Sequence, residues 1–334
     1  MQFTGKRLLR WGFGSGRIGK LTTYPLRDAP SAGAAPVIHT VSCGPIFIGR
    51  LLSGVLRAAG RMGQAIEHFL DHSRYKVMTS DIEIDVSNLH EVLNFAESYR
   101  PDFVINCAAL ASRTEADENP DKAFKVNALG ARNLAIASNN VGATMVHLST
   151  DDLFPENADH AFNEFDATNP PHVYGKSKQA GERFVNELNQ HHIIVRSSWV
   201  YTARPDDLLG RALLASAQGK TVPVPANQFA CPTSVDTFAK FVIAAMESDE
   251  FGTFHAACTG VTSRFEFFER AFALAGQPTG NLRGTANPWQ GYRIELDDMM
   301  ARLTGVYEFP TWEDDLAAFA AEHNLAALTR GGQE

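Results

Sequence analysis

Apolar positions along this chain of 334 residues follow two spacings. Short compact runs alternate with longer stretches in which apolar residues recur every three or four positions. These are the patterns of buried strands and amphipathic helices. The first run, 51–56, predicts a buried strand; Gly60, Arg61, Met62 and Gly63 then turn into a helix with Ala65, Ile66 and Phe69 on its apolar face. A strand is predicted over 75–78, ending near Asp81, then a helix over 88–99 and a strand over 103–106. A longer helix covers 120–139, with Pro120 in its first turn, where a missing N–H removes no helical bond. The run 144–148 predicts the strand that delivers Ser149, Thr150 and Asp151. After Pro171 a helix carries Tyr174, and a strand follows over 193–196.

Strands alternating with helices imply an α/β fold, a Rossmann-like doubly wound parallel sheet covered on both faces. Ligands of such sheets lie at the carboxyl ends of the strands, where Cys107, Ala108 and Ala109 and then Ser149, Thr150 and Asp151 fall. Beyond Trp199 the alternation loosens. Helices predicted over 206–218, 234–247, 263–275 and 312–328 make a smaller C-terminal substrate lobe over the open end of the sheet. Residues 1–50 hold no sustained period and are broken by Pro25, Pro30, Pro36 and Pro45. Gly14, Gly16 and Gly19 match the dinucleotide-binding spacing, but that spacing works between a strand and a helix, and the Tyr24-Pro25 that follows opens no helix. The expected organisation is a poorly ordered extension over 1–50, a dinucleotide-binding lobe over 51–200 and a substrate lobe over 201–330. A chain starting near Ile48 should then fold.

Charge narrows the partners. The net charge is −8, yet residues 1–61 carry nine Lys/Arg against Asp28 alone, leaving 21 basic and 37 acidic residues in the rest. An acidic body argues against nucleic acid. The basic, acid-poor start suits either a targeting leader or an extension outside the folded body. Cys43, Cys107, Cys231 and Cys258 are far apart and have no zinc spacing, so thiols in a reducing cytoplasm are expected. No run approaches a membrane span.

Tyr174 and Lys178, four residues apart, stand on one face of a helix. A nearby ammonium favours the phenolate and lowers a phenol's pKa from about 10. Such a phenol can protonate a carbonyl oxygen as hydride reaches the carbon, with Thr150 as a second hydrogen-bond partner for that oxygen. Gly60 and Gly63 let backbone approach a pyrophosphate at a helix N-terminus. Asp81 lies where an acid can bind a ribose hydroxyl, and Asp85 and Val86 are placed to flank an adenine.

Taken together, residues from about 51 to 328 resemble the extended short-chain dehydrogenase/reductase family, and within it the dTDP-4-dehydrorhamnose reductases and related sugar-nucleotide reductases. The resemblance rests on Pro101-Asp102-Phe103-Val104-Ile105-Asn106-Cys107-Ala108-Ala109, Glu118-Asn119-Pro120, Val126-Asn127-Ala128 and His147-Leu148-Ser149-Thr150-Asp151. It continues through Tyr174-Gly175-Lys176-Ser177-Lys178, Gly181-Glu182, Val195-Arg196-Ser197-Ser198-Trp199-Val200-Tyr201, Cys231-Pro232-Thr233 and Trp312. It implies NADPH or NADH as cofactor and the 4-keto group of a nucleotide-linked 6-deoxyhexose as substrate. Tyr174 would be the proton donor, Lys178 would lie on Tyr174 and the nicotinamide ribose, and Thr150 on the substrate oxygen. Arg61, Met62, Cys107, Ala108, Ala109 and Ser149 would line the cofactor. Asp151, Trp199, Val200, Gln228 and Thr233 would line the sugar. Three places depart from the family: Arg57 stands where it has its first glycine, Asp152 where it has tyrosine, and Leu110 and Ala111 where it has aromatic or polar residues. A non-catalytic relative, and an epimerase or reductase acting on another carbonyl, remain open alternatives. A homodimer is compatible with all three readings.

Overall fold

The computed structural model describes residues 60–80, 84–286 and 291–328, preceded by the strands Arg7–Leu8, Tyr24–Pro25 and Val37–Val41. Its centre is a parallel sheet of six strands. In spatial order they are Gly252–Ala256, His192–Ser197, Thr144–Thr150, Phe103–Asn106, Val37–Val41 and Lys76–Ser80. The winding reverses between Phe103–Asn106 and Val37–Val41, the kind of switch point at which such sheets take ligands.

The middles of the inner strands are mostly apolar because both faces are covered, and successive residues enter opposite cores. Val104, Met145 and Ile194 pack with Val92 and Ala96 of helix Leu89–Tyr99 and Leu134 and Ala135 of helix Ala131–Val141. Ile105, Val146, Ile193 and Val195 point the other way. They join Ala65 and Ile66 of helix Arg61–Phe69 and Phe238, Phe241 and Val242 of helix Val235–Glu247.

The sheet begins earlier than expected. Residues 51–59, which include the predicted first strand and Arg57, lie outside the described residues, as does Asp81. The interior place assigned to that strand is held by Val37–Val41, where Ile38 pairs with Val77 on one side and Phe103 on the other. The sheet thus starts within the segment assigned to the extension. Val37, Ile38, Thr40 and Val41 are β-branched, but a run of five behind Pro36 was too short to stand out. Gly252–Ala256 was also not anticipated. Its outer edge is covered rather than paired: the His255 N–H donates to one oxygen of the buried Glu164 carboxylate (2.9 Å) and the Met300 N–H to the other (3.2 Å).

The long helix expected over 120–139 is three pieces: Pro120–Phe124, a wider π turn at Lys125–Gly130, and Ala131–Val141. An additional short helix, Arg113–Glu118, precedes it. In the second lobe, Leu208–Ala217, Val235–Glu247 and Arg264–Leu274 fall where predicted. The last expected helix stops at Glu322 and resumes as Leu325–Leu328, past Asn324 at positive φ. Asp315 anchors this lobe: its buried carboxylate accepts from Tyr201 Oη (2.8 Å), Ser234 N (2.7 Å), Ser234 Oγ (2.7 Å) and Thr237 Oγ1.

Candidate active site

Thr150 ends the strand Thr144–Thr150, and its Oγ1 accepts from the Asp152 N–H (3.2 Å). Helix Val173–Leu188 brings Tyr174 beside it, with the phenol close enough to Thr150 to feel its hydroxyl. Gly175 makes this approach possible, because a Cβ there would sit 2.2 Å from the Asp152 carbonyl oxygen and 2.7 Å from Pro170 Cβ. Gly181, two turns on, lies against the π turn, where a Cβ would come within 2.4 Å of the Asn127 carbonyl oxygen. Asn127 itself is buried. Its Oδ1 accepts from Leu110 N (2.8 Å), and its Nδ2 donates to Leu110 O (3.2 Å) and Ser177 Oγ (2.9 Å). It thereby joins the loop after Phe103–Asn106 to the Tyr174 helix.

Lys178 is on the same buried helix face, but its Nζ donates to the Leu148 carbonyl. Burial pushes its pKa down to about 8, against the pull of Glu182. The expected lowering of the Tyr174 pKa does not occur. Burial, and then the Asp152 carboxylate, push the phenol above its ordinary value, so it holds its proton at neutral pH. Asp151 is buried, with Ser198 Oγ donating to its Oδ2 (2.7 Å). Burial and Asp152 raise it to about 7.

Asp152 is ion-paired to Arg113, whose Nη1 also reaches Glu156 (3.3 Å). His172 Nε2 lies 3.2 Å from the same Glu156 oxygen. The Arg113 guanidinium lies 4.9 Å from the ring centre of Tyr292, in the second lobe. Tyr292 Oη accepts from Trp199 Nε1 (2.9 Å), with Arg264 Nη2 at 3.4 Å. Arg264 stacks 4.0 Å over the Trp199 ring and donates from Nε to Gln228 Oε1 (3.1 Å). Trp199 takes a positive φ of 32°, unusual for a bulky residue.

Arg113, Arg264, Tyr292, Glu156 and His172 were not singled out from the sequence. Both arginines carried a signal. Each is the first residue of a helix, where the helix dipole disfavours a cation, behind a serine cap with glutamate at the third position: Ser112-Arg113-Thr114-Glu115 and Ser263-Arg264-Phe265-Glu266.

Of the expected sugar-site residues, Trp199 and Gln228 meet at this wall, and Val200 is half-buried beside it. Thr233 does not reach it. It has no accessible surface, and its hydroxyl accepts from Cys258 N (2.9 Å), so it is a core residue. On the cofactor side, helix Arg61–Phe69 starts at Gly60 with no side-chain cap and no acid in its first turn. Arg61 is ion-paired with Asp207, and Met62 packs on the large core. Ala108 is fixed by its N–H on Asn106 Oδ1 (3.0 Å), with Cys107 and Ala109 half-buried on either side. Ser149 Oγ is buried without a partner among the described residues. Asp85 is exposed and closes a turn on Ser87, and Val86 is fully buried against Gly130 and has no surface to offer an adenine. Among the described residues there is no cluster of three metal-ligating side chains, and no helix long and apolar enough to cross a membrane.

Residues 54–325 match the family model of the RmlD substrate binding domain. A dTDP-4-dehydrorhamnose reductase of Escherichia coli K12 is 33% identical over 227 residues, 65% of this chain and 76% of the relative. A dTDP-4-keto-6-deoxy-D-glucose reductase of Streptomyces niveus is 29% identical over 278 residues, 83% and 94% of the two chains. The crystal structure of the Bacillus anthracis dTDP-4-dehydrorhamnose reductase in complex with NADP superposes with a TM-score of 0.76 at 30% identity, covering 86% of this chain and 98% of that one.

Proposed function

The chain belongs to the RmlD substrate binding domain family, and from that premise we propose that it is an NADPH- or NADH-dependent oxidoreductase that reduces the 4-keto group of a nucleotide-linked deoxysugar. The observation that carries this reading is the convergence of Thr150, Tyr174 and Lys178 at the carboxyl end of the sheet, with the contact network of Trp199, Gln228, Arg264 and Tyr292 reaching it through Arg113.

The residues present fit a dinucleotide. The uncapped, acid-free start of helix Arg61–Phe69 suits a pyrophosphate, and the Ser149 hydroxyl is a buried polar group without a partner among the described residues. The nicotinamide, when bound, supplies the hydride. Tyr174, kept protonated by burial and by Asp152, gives its proton to the carbonyl oxygen. Thr150 holds that oxygen by a second hydrogen bond. Lys178, fixed on the Leu148 carbonyl, has further N–H donors for the ribose and brings positive charge to the developing phenolate. Arg113 and Arg264 bring guanidinium charge to this side of the site, as an anionic nucleotide sugar requires. We place the enzyme in the cytoplasm. The compartment is supported by Cys107, Cys231 and Cys258, none of which forms a disulfide among the described residues.

The test is oxidation of NADPH and NADH by the purified chain with a dTDP-4-keto-6-deoxyhexose, with the product's C4 configuration determined. Turnover to the 4-hydroxy sugar is expected. Nicotinamide binding without reduction of that sugar would move the reading to another carbonyl.

A further inference from the structure

Asp152 brings a carboxylate to within acting distance of both Tyr174 and Asp151, and negative charge also develops on the substrate oxygen as hydride arrives. An unpaired anion there would oppose the reaction. Resting on the reductase reading, we propose that Arg113 is a positioning residue of the reaction. It straps the Asp152 carboxylate, and with it the turn after Thr150, against Tyr292 of the second lobe, and so keeps that negative charge off the reacting oxygen.

Geometry supports this in three ways. Arg113 stands at the first position of a six-residue helix, where the dipole repels it, so its place is not explained by the helix it starts. Its fork is shared between Asp152 and Glu156, and both carboxylates belong to the segment between Thr150 and the Tyr174 helix. Its flat face lies over Tyr292, whose hydroxyl is held by Trp199 and Arg264, so the strap runs from one lobe to the other. A planar guanidinium can do both at once, whereas an ammonium cannot. The charged and polar groups that face Asp151 and Tyr174 are Asp152, Thr150, Arg113 and Ser198, with Cys231 and Tyr292 near Asp151. Leu110, Ala116 and Ala123 pack on Tyr174 as apolar neighbours.

The experiment compares wild type, Arg113→Met, Arg113→Lys, Asp152→Asn and the double variant Arg113→Met/Asp152→Asn. Arg113→Met should lower kcat roughly tenfold, the double variant should regain most of that loss, and Arg113→Lys should keep most of kcat with a raised KM. A residue that merely held its helix in place would not be rescued by removing the opposite charge. A double variant no faster than Arg113→Met, or an Arg113→Met with wild-type kcat, overturns the proposal. A readout without substrate separates this from the reductase reading: the Asp151 carboxyl titration, followed by infrared difference against Asp151→Asn in the free chain. Its proton affinity should fall by roughly tenfold in Asp152→Asn and rise in Arg113→Met. Midpoints that do not move in opposite directions overturn the proposal even if the chain reduces no sugar. Opposite movement in a chain without turnover would sink the reductase reading alone.

Discussion

A phenol that is to protonate a ketone must hold its proton until the ketone is in place. Burial and Asp152 secure this for Tyr174, while the neighbouring lysine, turned to the Leu148 carbonyl, does not strip it. The same surroundings act on Asp151, and the sign can be worked out. Its folded value, about 7, lies above its ordinary 3.8. The stability tied to its protonation is therefore fully present below the ordinary value and is lost as pH rises through the folded one. Asp151→Asn, neutral at every pH, should gain in Tm relative to wild type as pH is raised from about 5 to about 8, as followed by thermal melts. A constant difference across that range would show that Asp151 is not buried as a neutral acid. The positions of Thr150, Tyr174 and Lys178 were legible in the sequence, the first from a strand end and the other two from helix spacing, and their roles came from the family resemblance. Arg113 and Tyr292 were not, because their meeting depends on how two lobes fold together. Thr233 misled for the opposite reason: a hydroxyl beside a cleft loop was turned inward to serve the Cys258 N–H.

Helices meet the site elements at glycine. Gly175 and Gly181 lie on different sides of helix Val173–Leu188, where the backbone oxygens of Asp152 and of Asn127 respectively leave no room for a Cβ. Gly181→Ala should destabilise the fold by about 1–3 kcal/mol through overpacking, measured by denaturant titration. Gly175→Ala should in addition lower kcat, because the carbonyl it displaces belongs to the turn that follows Thr150. If Gly181→Ala costs nothing, the helix is not held against the π turn as described. Phe103–Asn106, Thr144–Thr150 and His192–Ser197 were readable from their apolar runs, but Val37–Val41 and Gly252–Ala256, whose apolar runs are shorter, were not. His39 and Thr40 interrupt Val37–Val41. Gly252–Ala256 contains His255, whose burial depends on a distant acceptor, the Asp297 carbonyl at 3.0 Å. The π turn was equally hidden, since Lys125–Gly130 continues an ordinary helical pattern and is widened where Asn127 serves Leu110 and Ser177.

Two connections hold the molecule as a whole. One is Asp315, a buried carboxylate that gathers donors from Tyr201, Ser234 and Thr237. Asp315→Ala should cost at least about 3 kcal/mol, because several buried donors lose their acceptor together. A small change in Tm would mean that water takes over that role. The other is Val37–Val41, which lies between Phe103–Asn106 and Lys76–Ser80. A chain beginning at residue 48 loses this interior strand and should not give the cooperative melt of the full chain, the reverse of what the composition of residues 1–50 implied. An unchanged melt would show that the sheet closes without it.

The central claim is that Tyr174 donates the proton in a nicotinamide-dependent ketone reduction, and the most direct measurement is kcat for Tyr174→Phe beside the wild type on a dTDP-4-keto-6-deoxyhexose, with nicotinamide affinity measured for both. The phenyl ring keeps the packing against Leu110, Ala116 and Ala123 and removes only the hydroxyl. A fall in kcat of roughly 10²–10⁴-fold, with little change in cofactor Kd, is the predicted result. A variant that retains most of the wild-type turnover would contradict it.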